Sequence, residues 1–218
     1  MVVDINQELK NINQPKMDDL VRELSQELPH VQFKGIVEIG LFTQTIIEVV
    51  ETLKTDLVIL GTKGSIGIKE TLIGSNAADA LKNLRTPMII VPKNSEALAP
   101  KKILLASDFS SESQVIESNI IDVIRDYFEA QLDLLHIFHS YDNIDSISYS
   151  KLIESKEIDV FVEKSENAEE SILDFAHEKN HNLITLATSD KGIIKNLFHD
   201  SITKKMSMHS DIPRFIWK

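Results

Sequence analysis

The second half of the chain repeats the first half at a constant offset of 126 residues. Gap-free identities at this offset are Ile46 with Ile172, Leu57 with Leu183, Leu60 with Leu186, Thr62 with Thr188, Lys69 with Lys195, Ser75 with Ser201, Pro87 with Pro213 and Ile90 with Ile216. Self-similarity at a fixed offset indicates a tandem duplication. We therefore predict two related domains, residues 1–97 and 98–218.

Strand and helix patterns alternate along both halves. The predicted strands are residues 31–39, 57–60, 88–91, 102–106, 132–138, 160–163, 183–187 and 214–217. Three helices are predicted at residues 43–54, 76–84 and 168–179. Three more are predicted: one that Pro15 opens, one that carries the apolar stripe of residues 115–128, and a short one near residues 149–155. Such alternation favours an α/β fold with parallel sheets and right-handed crossovers. Because residues 57–60 are all apolar, we expect that strand to be buried on both faces.

A glycine-rich loop, residues 61–76, joins a predicted strand to the next predicted helix. Gly61 and Gly64 can adopt positive φ and let backbone N–H groups approach a ligand closely. Gly74 and Ser75 place a small residue and an N-cap hydroxyl at the helix entry. The unpaired N–H groups and the dipole of a helix N-terminus favour an anion, so the loop is a candidate phosphate site. Alternatively, these are only the turn glycines of an α/β domain.

The loop spacing, G-x2-G-x9-G-S-N, is neither the P-loop nor the Rossmann fingerprint. With its flanking segments, residues 56–60 and 86–92, it resembles the nucleotide-binding loop of the universal stress protein family. The resemblance implies a parallel five-stranded sheet in the order 3-2-1-4-5 for each half, and a cytoplasmic stress-response or regulatory protein that binds ATP. Mg²⁺ is expected only with the nucleotide. The nucleotide-binding residues it implies are Gly61, Thr62, Gly64, Gly74, Ser75 and Asn76.

The equivalent loop of the second half lacks glycine at the three positions aligned with Gly61, Gly64 and Gly74. At the 126-residue offset Gly61, Gly64 and Gly74 become Ala187, Asp190 and Asp200. The alanine adds a methyl group where backbone should touch phosphate. A like-charge pair about 4 Å apart costs roughly 4 kcal/mol at an effective dielectric constant near 20. We therefore expect no ordinary nucleotide site in the second half.

The first half has the opposite deficiency. In the family, the first strand ends in an aspartate near the nucleoside, and the matching residue here is Asp108, in the second half. Residues 102–138 have no counterpart in the first half, so we expect that half to lack its first strand, first helix and second strand. The chain is then a fragment of a longer product, a half domain completed by a partner, or a domain with a rearranged sheet. The loss of these strands would leave an open edge that invites pairing with another chain.

Composition limits the partners. The formal net charge of −11 argues against a nucleic-acid or anionic-membrane surface. The chain contains no cysteine, which excludes thiolate chemistry and disulfides. It has no long apolar run or basic leader, so we expect a cytoplasmic protein without a membrane partner. The last strands of the two halves, residues 88–91 and 214–217, are candidates for an intramolecular or homodimeric contact.

No catalytic or metal-binding constellation emerges from the sequence. His136 and His139 would point to opposite faces of a strand, and His177 and His181 lack a third ligand beside them. No carboxylate motif for Mg²⁺ and no general base accompany the loop, so ATP hydrolysis ranks below binding. The alternative function is an interaction or dimerisation module that keeps the fold and binds no nucleotide.

Overall fold

The structure, a computed structural model, describes residues 5–61, 75–95, 99–107, 119–138, 158–187 and 211–217. The chain forms two compact units, Met1–Leu53 and Lys54–Lys218. This division differs from the boundary predicted between residues 97 and 98, because strands on both sides of residue 98 share one sheet. The predicted boundary separates sequence repeats, whereas the compact units follow backbone pairing.

The first unit consists of helices α1 (Ile5–Glu27) and α2 (Phe42–Leu53) with an extended segment between them. Helix α1 begins ten residues before Pro15, so the prediction that Pro15 opens the helix is wrong. An interior proline removes one backbone hydrogen bond and its ring crowds the carbonyl four residues earlier, which costs a helix about 3 kcal/mol. Side-chain pairs four residues apart, Gln7 to Asn11 (3.1 Å) and Gln14 to Asp18 (2.8 Å), support the helix before and across the proline.

Residues 31–39 do not form the predicted strand. The segment instead lies along α1, where a Cβ atom on Gly35 would clash with the side chain of Met17. Nearby, Lys10 Nζ and Glu38 Oε2 form a 2.7 Å ion pair. The glycine permits close approach to the helix, so side-chain contacts with α1 replace the backbone ladder that a strand would need.

The second unit is built on a seven-stranded sheet. Its elements are β1 (Val58–Gly61), α3 (Ser75–Asn83), β2 (Met88–Val91), β3 (Lys102–Ser107), α4 (Asn119–Phe128), β4 (Gln131–Phe138), β5 (Asp159–Lys164), α5 (Ala168–Glu178), β6 (Leu183–Ala187) and β7 (Arg214–Trp217). The strand order is β1-β2-β7-β6-β3-β4-β5, and every pair except β2–β7 is parallel. Strands β3 to β7 thus follow the predicted order 3-2-1-4-5. The helix predicted near residues 149–155 lies outside the described residues.

One asparagine aligns the centre of this sheet. The side-chain Oδ1 of Asn182, just before β6, accepts the N–H groups of Lys101 (2.9 Å) and Lys102 (3.0 Å) at the start of β3. Its Nδ2 donates to the carbonyl of Ala99 (2.9 Å). These bonds pair β3 with β6 in a fixed register, and their apolar side chains are buried in the core.

Two strand pairs have the same register 126 residues apart. Val58 lies opposite Met88 in the β1–β2 pair, and Ile184 lies opposite Arg214 in the β6–β7 pair. The hydrogen bonds that begin the ladders also correspond: Val58 N to Pro87 O is 2.9 Å, and Ile184 N to Pro213 O is 3.0 Å. The sequence repeat is therefore matched by a repeat in backbone pairing.

The two repeated pairs meet where β2 lies antiparallel to β7. Ile89 is opposite Phe215, its own equivalent at the 126-residue offset. Met88 faces Ile216 and Ile90 faces Arg214, so the pairing is symmetric about the Ile89–Phe215 position. The contact predicted between the last strands is present within the chain.

Strand β1 stands at one edge of the sheet, and among the described strands only β2 pairs with it. The side chain of Ile59 is 63% exposed. The expectation that this strand is buried on both faces is wrong, because burial requires a neighbouring strand and the helices that cover it. Apolar composition alone does not supply that cover.

Candidate functional site

The predicted nucleotide loop begins at the carboxyl end of β1 and leads into α3. Gly61 is the last residue of β1, Ser75 is the first residue of α3, and Asn76 is exposed in its first turn. Since β1 and β2 are parallel, the intervening helix begins on the side of the sheet where β1 ends. The loop thus runs from a strand end to a helix start, and Ser75 lies inside the helix and not at the N-cap position that the sequence predicted. Thr62, Gly64 and Gly74 lie outside the described residues.

Gly61 does not adopt the positive φ that the sequence suggested, as none of the described glycines has positive φ. Its pairing with Val91 in the parallel ladder keeps it extended. A Cβ atom built on Gly61 would meet no atom of the part of the chain that the structure describes within 4 Å. The useful property of this glycine is therefore open space beside the backbone at the end of the strand. A phosphate or sugar group fits such a space better than it fits a strand end covered by a side chain.

Helix α3 is anchored on one face and polar at its start. Ala77, Ala80 and Leu81 are buried, which fixes the direction of the helix axis against the sheet. Its first turn contains no acidic side chain. The positive end of the helix dipole is thus not neutralised by the helix's own carboxylates, a condition that suits an anionic ligand.

The equivalent strand of the second half ends differently. Ala187 closes β6 and pairs with Trp217, as Gly61 pairs with Val91. The residues predicted to repel phosphate, Asp190 and Asp200, lie outside the described residues, as does Asp108. The two strands thus end in different residues, glycine in β1 and alanine in β6, although their backbones pair in the same way.

A buried polar cluster, which the sequence reasoning missed, lies at the other end of the sheet. Asp133 Oδ2 is 2.9 Å from His181 Nε2 and 3.2 Å from Lys102 Nζ. Gln131 Nε2 donates to Asp133 Oδ1 at 2.8 Å. Burial lowers the pKa of His181 below 6.5, although the hydrogen bond and charge of Asp133 oppose that shift. A single aspartate inside the apolar run of residues 132–138 was the sequence signal for a buried partner.

This cluster joins the amino-terminal ends of β3, β4 and β6, whereas the nucleotide loop follows a carboxyl end. Ligands of parallel sheets bind at the carboxyl ends. His177 contacts Asp211, 3.4 Å away, so His177 and His181 contact different carboxylates and do not converge. The cluster connects the amino-terminal ends of these strands and is not part of the candidate site.

Within the described part of the chain, no helix has the length and apolar character needed to cross a membrane.

Comparison with known sequences finds a family match in the first half of the chain and two relatives. A profile of the universal stress protein family matches residues 4–92. One universal stress protein of Methanocaldococcus jannaschii is 28% identical over 94 residues, and another is 37% identical over 54 residues. The alignments cover 42% and 25% of this chain. The chain spans 58% and 32% of the length of these two relatives.

Solved structures share the fold. The crystal structure of a universal stress protein from Archaeoglobus fulgidus has a TM-score of 0.72 at 18% identity, covering 100% of this chain and 80% of that chain. A functionally unknown protein from Pseudomonas aeruginosa has a TM-score of 0.65 at 18% identity, with coverage of 94% and 78%. At this identity the structures establish the α/β fold with its mostly parallel sheet. Residues 4–92 thus match the universal stress protein family in sequence, and the chain shares its fold with a solved universal stress protein.

Proposed function

We propose that this stress-response protein binds an adenine nucleotide, ATP, in the loop between β1 and α3. The observation that carries the proposal is the open backbone at Gly61, where a Cβ atom added to the residue would have no atom of the described residues within 4 Å. Helix α3 begins on the same side of the sheet and has no acidic residue in its first turn. An extended strand end without a side chain, followed by a helix N-terminus, suits the phosphates of a nucleotide.

In this proposal each residue of the site has a defined task. Gly61 leaves room for the ligand beside the end of β1, and Ser75 and Asn76 offer N–H groups of the first helical turn. Thr62, Gly64 and Gly74 complete the loop around the phosphates. ATP acts as a bound regulatory ligand, and no hydrolytic step is assigned to the chain.

We further propose that the two sequence repeats are tandem domains with different duties. The first binds the nucleotide, and the second retains the sheet without a ligand site. The shared register of β1–β2 and β6–β7 supports a common origin of the two halves. A cytoplasmic location remains a prediction from the sequence.

Calorimetric titration of the full chain with ATP tests the proposal, and Gly61→Ala is the sharpest variant. Because Gly61 has no positive φ and open space around it, alanine should leave the stability unchanged within about 0.5 kcal/mol. The methyl group should nevertheless obstruct the ligand and lower the ATP affinity about tenfold or more. Ala187→Gly, at the equivalent position, is the matched control and should not change ATP binding. Equal affinities of the wild type and Gly61→Ala would contradict the site.

The second candidate is an interaction module without a ligand, favoured by the symmetric antiparallel contact of β2 with β7. Such a contact shows that these strand edges pair readily. A folded chain that gives no heat with ATP, ADP or AMP would decide for this alternative.

A further inference from the structure

Strand β6 and its repeat equivalent β1 differ in the number of their neighbours. β6 lies between β7 and β3. β1 has the same partner on one side, since β2 is the equivalent of β7, but no described strand on the other side. The molecule thus contains two equivalent strands, β6 inside the sheet and β1 at its edge. The neighbour of the covered copy, β6, indicates which kind of strand fits beside the open copy, β1.

The covered copy is flanked by an apolar parallel strand. Ile103, Leu104 and Leu105 of β3 are almost completely buried, and Leu105 lies opposite Thr185 of β6. The hydroxyl of Thr185 donates to the carbonyl of Leu104 at 3.0 Å. Thr185 is 1% exposed, whereas its equivalent Ile59 is 63% exposed. The difference measures the cover that β1 lacks.

The edge of β1 that no described strand covers also carries backbone N–H groups. The N–H of Val58 is directed to Pro87 in the ladder with β2. Successive N–H groups of a strand point to opposite edges, so the N–H of Ile59 points to the open side. An apolar edge strand with free N–H and C=O groups is a template for another strand.

We propose that the open edge of β1 binds a parallel β-strand of another polypeptide segment with the chemistry of β3: a short run that is apolar on both faces. The expected register is the one that β3 has on β6, which places a leucine-type side chain opposite Ile59, as Leu105 lies opposite Thr185. The main-chain ladder supplies the binding energy, and apolar side chains on both faces supply the selectivity. This interaction does not depend on nucleotide binding.

The test uses the full chain and a fluorescent peptide with the sequence of residues 100–108, which contains β3. We expect saturable binding, seen as a rise in fluorescence anisotropy, and slower hydrogen exchange at residues 57–61. A peptide of scrambled sequence is the control. Ile59→Pro removes the outward N–H without removing a donor from the β2 ladder and should weaken binding about tenfold. Ile59→Thr, which copies Thr185 and keeps the N–H, should bind within about threefold of the wild type.

A set of N-methylated peptides tests the ladder without altering the protein. N-methylation at the position of Leu104 and at that of Leu105 blocks donors on opposite edges of the peptide. Only one of the two modifications should abolish binding, because only one edge of the peptide donates its N–H groups to β1. Equal effects of both, equal binding of the scrambled peptide, or no saturable binding would overturn the proposal. Protection of residues 57–61 that rises with protein concentration in the absence of peptide would also overturn it, because it would assign the edge to a second copy of the chain.

Discussion

The strand pairs β1–β2 and β6–β7 have the same register and different surroundings. The pair formed by β6 and β7 lies in the interior of the sheet and carries the buried residues Thr185 and Phe215. The pair formed by β1 and β2 ends the sheet, with Ile59 exposed. The pairing of two strands therefore depends on local sequence, whereas their burial depends on the elements that cover them.

The two pairs also differ at both of their ends. At the amino-terminal end the second pair is held by His181 and Asp133, and the residue equivalent to His181 is Thr55. At the carboxyl-terminal end Ala187 replaces Gly61. In our proposal the second pair has additional structural contacts and no ligand. The first pair binds the ligand and has fewer neighbouring elements that bury it. Substitutions that exchange single features between the pairs test this assignment.

The largest effect is expected at the symmetric contact between the pairs. Phe215 is fully buried and stacks on Trp217 with a ring-centroid distance of 5.4 Å, whereas its partner Ile89 is only partly buried. Phe215→Ala should lower the free energy of unfolding by about 3–5 kcal/mol, and Ile89→Ala by about 1–2 kcal/mol. Urea unfolding followed by the fluorescence of Trp217, the single tryptophan of the chain, measures both. Equal losses would show that the two pairs contribute alike to the core.

The next effect concerns the ligand. Gly74→Asp copies Asp200 of the second half into the proposed nucleotide loop. One carboxylate about 4 Å from a phosphate oxygen costs up to about 4 kcal/mol, which is roughly a thousandfold in affinity. Calorimetry with ATP measures the loss, and Gly74→Asn, which has the size of aspartate without its charge, is the control. Similar affinities of the Asp and Asn variants would show that charge does not separate the two halves.

Protonation of His181 should produce a smaller change in the free energy of unfolding, and only the second pair has a histidine at this position. Burial lowers the pKa of His181. Lys102, whose Nζ is 3.2 Å from Asp133 Oδ2, opposes protonation of His181 as well, because it already supplies a positive charge beside that carboxylate. The unfolded chain binds a proton near pH 6.5 while the folded chain does not. Stability should therefore fall as the pH drops below about 6.5, by at most about 1.4 kcal/mol per pH unit, and level off below the lowered pKa.

Urea unfolding between pH 8 and pH 5 measures this dependence, and His181→Gln should reduce its slope. His177→Gln is the control, because His177 is exposed beside Asp211. An unchanged slope in the His181 variant would contradict the assignment.

Local patterns in the sequence predicted much of the sheet. The bounds predicted for β2, β6 and β7 match the structure, because each is a short run dominated by apolar residues that closely follows a proline or a polar turn. The strand predicted at residues 31–39 was wrong, because its contacts with α1 depend on tertiary packing at Gly35. Non-local packing of this kind leaves no periodic signal in a single segment.

The candidate site was predicted in part for the same reason. The positions of Gly61 and Ser75 at the ends of a strand and a helix follow from the alternation of patterns. The conformation of Gly61 did not follow, because its pairing with Val91 decides its φ. The contact of Asp133 with His181 joins residues 48 positions apart, and no motif encodes it.

The smallest effect is expected at Ile59, which is 63% exposed, whereas its equivalent Thr185 is 1% exposed. Ile59→Thr should change the free energy of unfolding by no more than about 0.5 kcal/mol, because the isoleucine side chain is exposed on an edge strand. The reverse exchange, Thr185→Ile, adds volume to a packed interior and removes the hydrogen bond to Leu104, so it should cost about 1–3 kcal/mol. Urea unfolding of the two variants on the same day measures the difference. If Ile59→Thr cost as much as Thr185→Ile, the edge of β1 would be covered in solution, and the contrast between an open and a closed strand pair would fail.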